Sequence, residues 1–166
     1  LHLDEITEYI LNLGEDHIVL IIDDGSEVPI KIKTLSNRVY GFRIPYNAGL
    51  GMGLNIALDF AKLKNVDVLV RIDSDGQHPL SDLSSLADSL TEQNKDISLG
   101  CRKNSETTDG FVNILRTICK KYMNFILWFL VGIKVKDPHT GFYALNKNAI
   151  ETMSKISFNR YPETQL

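Results

Sequence analysis

An α/β domain with a mainly parallel central sheet flanked by helices is the fold class this sequence predicts, and three observations predict it. Short apolar runs rich in Ile and Val alternate along the chain with helical patterns. Two of those runs end in acidic, glycine-containing turns, Asp23-Asp24-Gly25-Ser26 and Asp73-Ser74-Asp75-Gly76. The 166 residues are 43% hydrophobic and 23% charged, a balance that supports one compact domain over residues 1–166 and excludes disordered and collagen-like classes.

Each element follows from local pattern. Apolar residues at positions 3, 6, 10 and 13 mark one face of a helix from Leu3 to Leu13, and Gly14 stops it. Residues 17–22 read as a buried strand that runs into the first acidic turn. Val39 to Ile44 is a second, weaker strand. Residues 47–53, with Gly49, Gly51 and Gly53, read as a glycine-rich connection into a helix over 54–63. Residues 66–72 form the third strand, which leads directly into Asp73-Ser74-Asp75-Gly76-Gln77-His78-Pro79. Helical spacing returns over 81–90 with Ser81 as candidate cap, and residues 97–100 form a short strand. Residues 104–110 are polar, and 111–131 form a long, largely apolar helix, read as core rather than membrane-facing. A turn around Asp137-Pro138 and Gly141 precedes a short closing strand and helix over 144–153. In open sheets of this kind ligands bind beyond the carboxyl ends of the strands, so both acidic turns are expected on one rim.

Charge and cysteine usage narrow the function. A net charge of −3 leaves no basic field for phosphate neutralisation, which argues against nucleic acid as a partner. Cys101 and Cys119 have no zinc-finger spacing, and their sparseness fits a reduced, cytoplasmic setting. The acidic start offers no signal peptide, and the apolar run over 122–133 falls short of the ~20 residues that span a bilayer. A peripheral membrane surface is kept as the alternative for the helix over 111–131. The first residue is Leu, not Met, so a piece of a longer protein is expected.

The spacing Asp73-Ser74-Asp75 carries the most chemistry. Two carboxylates one residue apart at a strand end can share a hard divalent cation, Mg²⁺ or Mn²⁺, with Gln77 adding an amide oxygen and phosphate oxygens completing the shell. An isolated Asp-x-Asp is more commonly a turn, but two like charges at one buried rim favour a cation. Asp23 and Asp24 offer acceptors for a base or for ribose hydroxyls, against the plainer reading of a capping turn. The run Asn47-Ala48-Gly49-Leu50-Gly51 lacks the Lys-Ser/Thr of a phosphate loop and the dinucleotide spacing, so its glycines serve close backbone approach to a nucleotide or helix packing. Arg102 offers a guanidinium for a diphosphate. His78 and His139 each lie beside Pro in a turn and are weak candidates.

Taken in order, Asp23-Asp24-Gly25-Ser26, Asn47-Ala48-Gly49-Leu50-Gly51, Asp73-Ser74-Asp75-Gly76-Gln77-His78-Pro79, Gly100-Cys101-Arg102 and Asp137-Pro138-His139-Thr140-Gly141-Phe142 resemble the family 2 glycosyltransferases of GT-A fold. The resemblance covers nearly the whole chain and is nearest to the branch of polyprenyl-phosphate and dolichyl-phosphate sugar transferases. It implies an enzyme facing the cytoplasm, at the inner face of a membrane, that moves a sugar from a nucleotide-diphosphate donor to a lipid-phosphate or glycan acceptor, with inversion. It further implies that Asp73, Asp75 and Gln77 hold the metal, that Asp23, Asp24, Asn47, Gly51, Asp73 and Arg102 line the donor, and that Asp137 and Asp75 are the catalytic carboxylates. Within that branch the residue after Gly-Phe is commonly Arg, and here it is Tyr143. The family's first strand and the sequence beyond Tyr161-Pro162-Glu163 fall outside the 166 residues, so truncation at both ends is expected. A noncatalytic nucleotide-sugar-binding domain and a nucleotidyltransferase with the same pair of carboxylates are the alternatives.

Overall fold

A computed structural model describes residues 2–32, 36–76, 78–101, 121–122, 124–126, 128–130, 132, 140–156 and 158. Its elements are α1 (Leu3–Leu13), β1 (Val19–Asp24), β2 (Val39–Ile44), α2 (Leu50–Leu63), β3 (Val68–Arg71), α3 (Asp82–Glu92), β4 (Ile97–Leu99), β5 (Tyr143–Asn146) and α4 (Lys147–Met153).

Helix α1 buries Ile6 and Thr7, and the Thr7 hydroxyl donates to Leu3 O at 2.8 Å, so the buried oxygen is satisfied within the helix. No basic residue occupies its last turn. The cation that α1 lacks comes from Arg38, whose Nη1 donates to Gly14 O at 2.6 Å and to Leu11 O at 3.4 Å, placing positive charge on carbonyls that the helix end leaves over. Thus the start of β2 is tied to the end of α1. Strands β1 and β2 pair in parallel, Val19 opposite Val39 through Asp24 opposite Ile44, so both finish on the same edge.

Helix α2 starts at Leu50, four residues earlier than the glycine pattern suggests. Gly49 is the residue that breaks the extended chain, at φ +89, whereas Gly51 is buried inside the first turn and a Cβ on Gly53 would meet Ile22 Cγ2 at 3.9 Å. Both glycines thus lie within the helix, where burial of the α2 face in the core outweighs their poor helix propensity.

The second sheet has the order β3-β5-β4, with β5 antiparallel to both neighbours. Strands β3 and β4 consequently run in the same direction, as expected, but the closing strand is inserted between them. Alternation along β5 divides the core in two. Tyr143 and Leu145 join Leu54, Leu58 and Ala61 of α2 and Ile150 of α4 on one face. Ala144, with Phe142 just before the strand, joins Leu83, Leu86 and Leu90 of α3 on the other, where Tyr9 and Ile10 of α1 also pack. A two-residue period is what puts successive side chains of one strand into opposite helical layers.

Helix ends differ from the sequence reading in one respect each. Ser81 stands at the start of α3 but makes no capping hydrogen bond, its hydroxyl instead facing Asp82 Oδ1 at 3.3 Å. Asn146 caps α4, its Oδ1 accepting from Ala149 N at 2.9 Å. The apolar helix over 111–131 is described only in part. Helical residues occur at 121–122, 124–126 and 128–130, and Tyr122, Phe125, Trp128, Phe129 and Leu130 are exposed. The core reading of that stretch is therefore corrected for its described residues. The reason is that periodicity reports an apolar face without reporting what the face meets.

Candidate active site

The two acidic turns lie at one end of the molecule. Helix α2 begins beside Asp24 and, after residues 64–67, the chain turns back into β3, so β3 runs toward the end where α2 starts. An independent contact agrees. Residues 14–18 return α1 into β1, which places the start of α1 with the end of β1, and a Cβ on Gly76 would meet the His2 ring at 2.9 Å.

The strand β1 runs two residues further than the sequence reading and takes in Asp23 and Asp24, and Asp23 is 4% exposed. Its carboxylate accepts from Ser26 N at 2.9 Å, from Ile30 N at 3.2 Å and from Arg43 Nη1 at 3.0 Å, while Arg43 Nη2 donates to Ser26 O at 2.8 Å. Hydrogen bonding by Ser26, first of all through its side chain, holds the Asp23 carboxyl below its ordinary value against the opposing effect of burial. Asp23 thus organises the turn from inside. Asp24 Oδ1 accepts from Ala48 N and Oδ2 from Gly49 N, both at 2.8 Å. This carboxylate clamps the two residues that precede α2, and each oxygen keeps a further lone pair for a ligand. Gly25, at φ +71, allows the clamp, since a Cβ there would fall on the Tyr46–Asn47 backbone. Asn47 is exposed beside it.

At the second turn Asp73 is half-buried and Asp75 exposed, with Gly76 at φ +75 bending the chain after them. Arg71 Nη2 donates to Asp73 Oδ1 at 3.3 Å, and its guanidinium carbon lies 5.6 Å from the centre of the Tyr143 ring. A Cβ on Gly141 would fall on Asp73 Oδ2. The late Gly-Phe segment is therefore folded onto the first carboxylate of the Asp-x-Asp pair, across 68 positions of sequence. His78 is buried against the Phe142 ring, centroids 4.6 Å apart, so it packs the turn onto that same segment. Near by, Gly100 and Cys101 border an open cavity of about 250 Å³ with Ser85, Ser89 and Ser98. Gln77, Arg102, Asp137 and His139 lie outside the described residues.

Sequence reasoning passed over Arg71 and Arg43. Arg71 sits at the end of β3 opposite Tyr143 in the strand register, and only that pairing reveals it as the cation next to Asp73. The pattern carried a usable signal in each case, a charge at the end of an apolar strand.

The donor chemistry fits a hard cation. Two carboxylates on an open turn supply oxygen ligands, and no group of three or more His, Cys, Asp or Glu gathers among the described residues. Two carboxylates leave most of an octahedral shell to phosphate oxygens and water, a donor set that Mg²⁺ or Mn²⁺ accepts.

Comparison with known proteins identifies the family. The family described as glycosyl transferase family 2 matches residues 3–153. An uncharacterised protein of Methanocaldococcus jannaschii is 24% identical over 144 residues, 86% of this chain and 59% of that one. Polyprenol monophosphomannose synthase of Mycolicibacterium smegmatis is 28% identical over 141 residues, 80% of this chain and 52% of that one. A UDP-N-acetylglucosamine–dolichyl-phosphate N-acetylglucosaminyltransferase of Methanococcus voltae is 24% identical over 118 residues, 71% and 47% respectively. The chain spans about half the length of these curated relatives.

Proposed function

Because the chain belongs to glycosyl transferase family 2 and has its GT-A fold, we propose that it is a glycosyltransferase that moves a sugar from a nucleotide-diphosphate donor to a polyprenyl-type lipid phosphate, with inversion at the anomeric carbon. One observation carries this reading: Gly141 lies on the Asp73 carboxylate at the end of β3, on the rim that Asp24 also occupies. Family membership alone leaves a glycan hydroxyl as the other acceptor. The two relatives whose names state an acceptor are a polyprenol monophosphomannose synthase and a dolichyl-phosphate N-acetylglucosaminyltransferase, which favours lipid phosphate.

In this proposal Asp24, with Asn47 and the loop it clamps, receives the nucleoside, and Arg102 meets the diphosphate. Asp73, Asp75 and Gln77 hold Mg²⁺ or Mn²⁺, which when bound supplies positive charge against the leaving diphosphate. Arg71 keeps Asp73 oriented through its hydrogen bond to Oδ1. The acceptor oxygen attacks the anomeric carbon from the side opposite the diphosphate, so the carbon–oxygen bond to the nucleotide breaks as the new one forms. A phosphate oxygen is already an anion and needs little base catalysis, whereas a sugar hydroxyl would call on Asp137 as general base. The reaction belongs on the cytoplasmic face of a membrane.

Titration of Mn²⁺ against a panel of uridine and guanosine diphosphate sugars tests the site. Metal-dependent binding is expected, weakened by roughly tenfold or more in Asp75→Ala, as for loss of a charged ligand worth over ~1.4 kcal/mol. Undiminished donor binding with all metal chelated would overturn the metal role. Donor binding with neither transfer nor hydrolysis would point to a binding domain instead.

A further inference from the structure

The open cavity of about 250 Å³ between α3 and β4 takes no part in the nucleotide and metal roles proposed above. Asp82, Ser85 and Ser89 reach it from one face of α3, at three-and-four spacing, and Ser98 reaches it from β4, while Leu86 and Phe142 give it an apolar floor. Its hydroxyls have a defined polarity. Ser89 Oγ directs its single hydrogen to Leu86 O at 2.7 Å. In the 2.6 Å contact between Ser89 Oγ and Ser98 Oγ the donor is therefore Ser98, because a hydroxyl carries one proton. Both oxygens then keep lone pairs and have no further hydrogen to offer. Asp82 adds a carboxylate, whose Oδ1 accepts from the Ser81 hydroxyl at 3.3 Å. The wall is thus rich in acceptors, and it suits a ligand that brings donors and no negative charge.

We propose that this cavity is a carbohydrate subsite that receives one neutral, hydroxyl-rich hexose ring. Hydroxyls of the sugar donate to Ser89, Ser98 and Asp82, its C–H face lies against Leu86 and Phe142, and the exposed Ser85 hydroxyl turns to give or accept as the sugar requires. Size agrees. At about 250 Å³ the cavity falls below the ~300–1,000 Å³ of sites for drug-sized ligands, so it takes a single ring and not a nucleotide. A phosphate is rejected by charge, since it would meet acceptors and a carboxylate with no Lys or Arg among the described lining residues. Location ties the cavity to the transfer rim. Gly100 N donates to Phe142 O at 2.8 Å, and a Cβ on Gly100 would fall on the Phe142 ring. Phe142 follows Gly141, the residue that lies on the Asp73 carboxylate, so the floor of the cavity and the contact to Asp73 are adjacent in the chain. This inference deepens the sugar-transfer reading and rests on it only for the source of the ring, the donor's sugar or that of an acceptor.

Saturation-transfer NMR on the full chain, with Mg²⁺ and no nucleotide, tests the cavity against a panel of methyl hexosides. Saturable transfer from the protein to at least one hexoside is expected. Ser98→Ala removes an acceptor, and Ser85→Leu covers the opening from an exposed position. Each is expected to weaken hexoside binding by about fivefold or more, while circular dichroism and the melting midpoint stay as in the wild type. Inorganic phosphate is expected not to compete. No saturable binding of any hexoside overturns the inference, as do hexoside signals that both variants leave unchanged or that phosphate displaces. The source of the ring is read by competition. A nucleotide sugar that displaces the hexoside where its nucleoside diphosphate does not assigns the ring to the donor, and a hexoside that stays bound beside the nucleotide sugar assigns it to an acceptor. Sugar transfer without hexoside binding would sink the cavity alone. Hexoside binding with neither transfer nor hydrolysis of any nucleotide sugar leaves the cavity in place and defeats the transfer reading.

Discussion

At the scale of single residues, the two aspartates that end β1 perform different tasks, and titration separates them. Asp23 has a depressed folded-state pKa, so its contribution to stability is fully present above its ordinary value of 3.8 and is lost as pH falls through the folded value. The stability difference between wild type and Asp23→Asn, read from urea melts, is expected to be constant from pH 7 to about 5 and to shrink below about 4. A difference that stays constant into acid would mean that the carboxylate charge does not hold the turn. Glycines separate folding from function in a similar way. In Gly141→Ala the new methyl meets a carboxylate tip that can swing aside, so the melting temperature is expected to change little while metal-dependent donor binding falls. In Gly25→Ala the methyl meets the Tyr46–Asn47 backbone at φ +71, and destabilisation of about 1–3 kcal/mol is expected. Both acidic turns were legible in the sequence because a strand followed by a polar turn is a local pattern. The inward task of Asp23 was not, because it depends on Arg43 in the neighbouring strand, 20 positions away.

At the scale of elements, the sequence located helices and strands well and their ends less well. The start of α2 was hidden because glycine signals a turn by its intrinsic preference, while here Gly51 and Gly53 lie within a helix whose Leu54, Leu58 and Ala61 are buried in the core. The end of α1 was legible at Gly14, but not the means by which its carbonyls are satisfied, since Arg38 arrives from 24 residues downstream. Arg38→Met keeps length and removes the charge, and is expected to destabilise the protein by about 1–3 kcal/mol, the range for a charged hydrogen bond. Amide exchange in the last turn of α1 should accelerate by the same free energy. An unchanged melting midpoint would show that solvent caps the helix as well as the guanidinium does. The apolar stretch around 122–130 failed for a different reason: a sequence shows that a face is apolar, and only its neighbours decide whether that face is core or surface.

At the scale of the whole molecule, the fold class was legible from alternation, while the strand order was not, because β5 reaches its place between β3 and β4 from the far end of the described chain. Local pattern contains no information about such a pairing. The two described sheets share no strand, so their union rests on helices that touch both. Helix α2 is the principal one: its Gly53 faces Ile22 of β1 and its Leu58 lies in the cluster with Tyr143 and Leu145 of β5. Leu58 is 1% exposed, and Leu58→Ala is expected to cost about 2–5 kcal/mol through lost burial and the cavity left behind. If α2 couples the sheets, that loss reaches the candidate site at a distance. The Ala48 and Gly49 amides held by Asp24, and the amides of β5, should then exchange faster by one common factor in the variant, with a single unfolding transition. Acceleration confined to β5 would mean that the two sheets open independently, and that the rim shared by Asp24 and Asp73 is held together by something other than this helix.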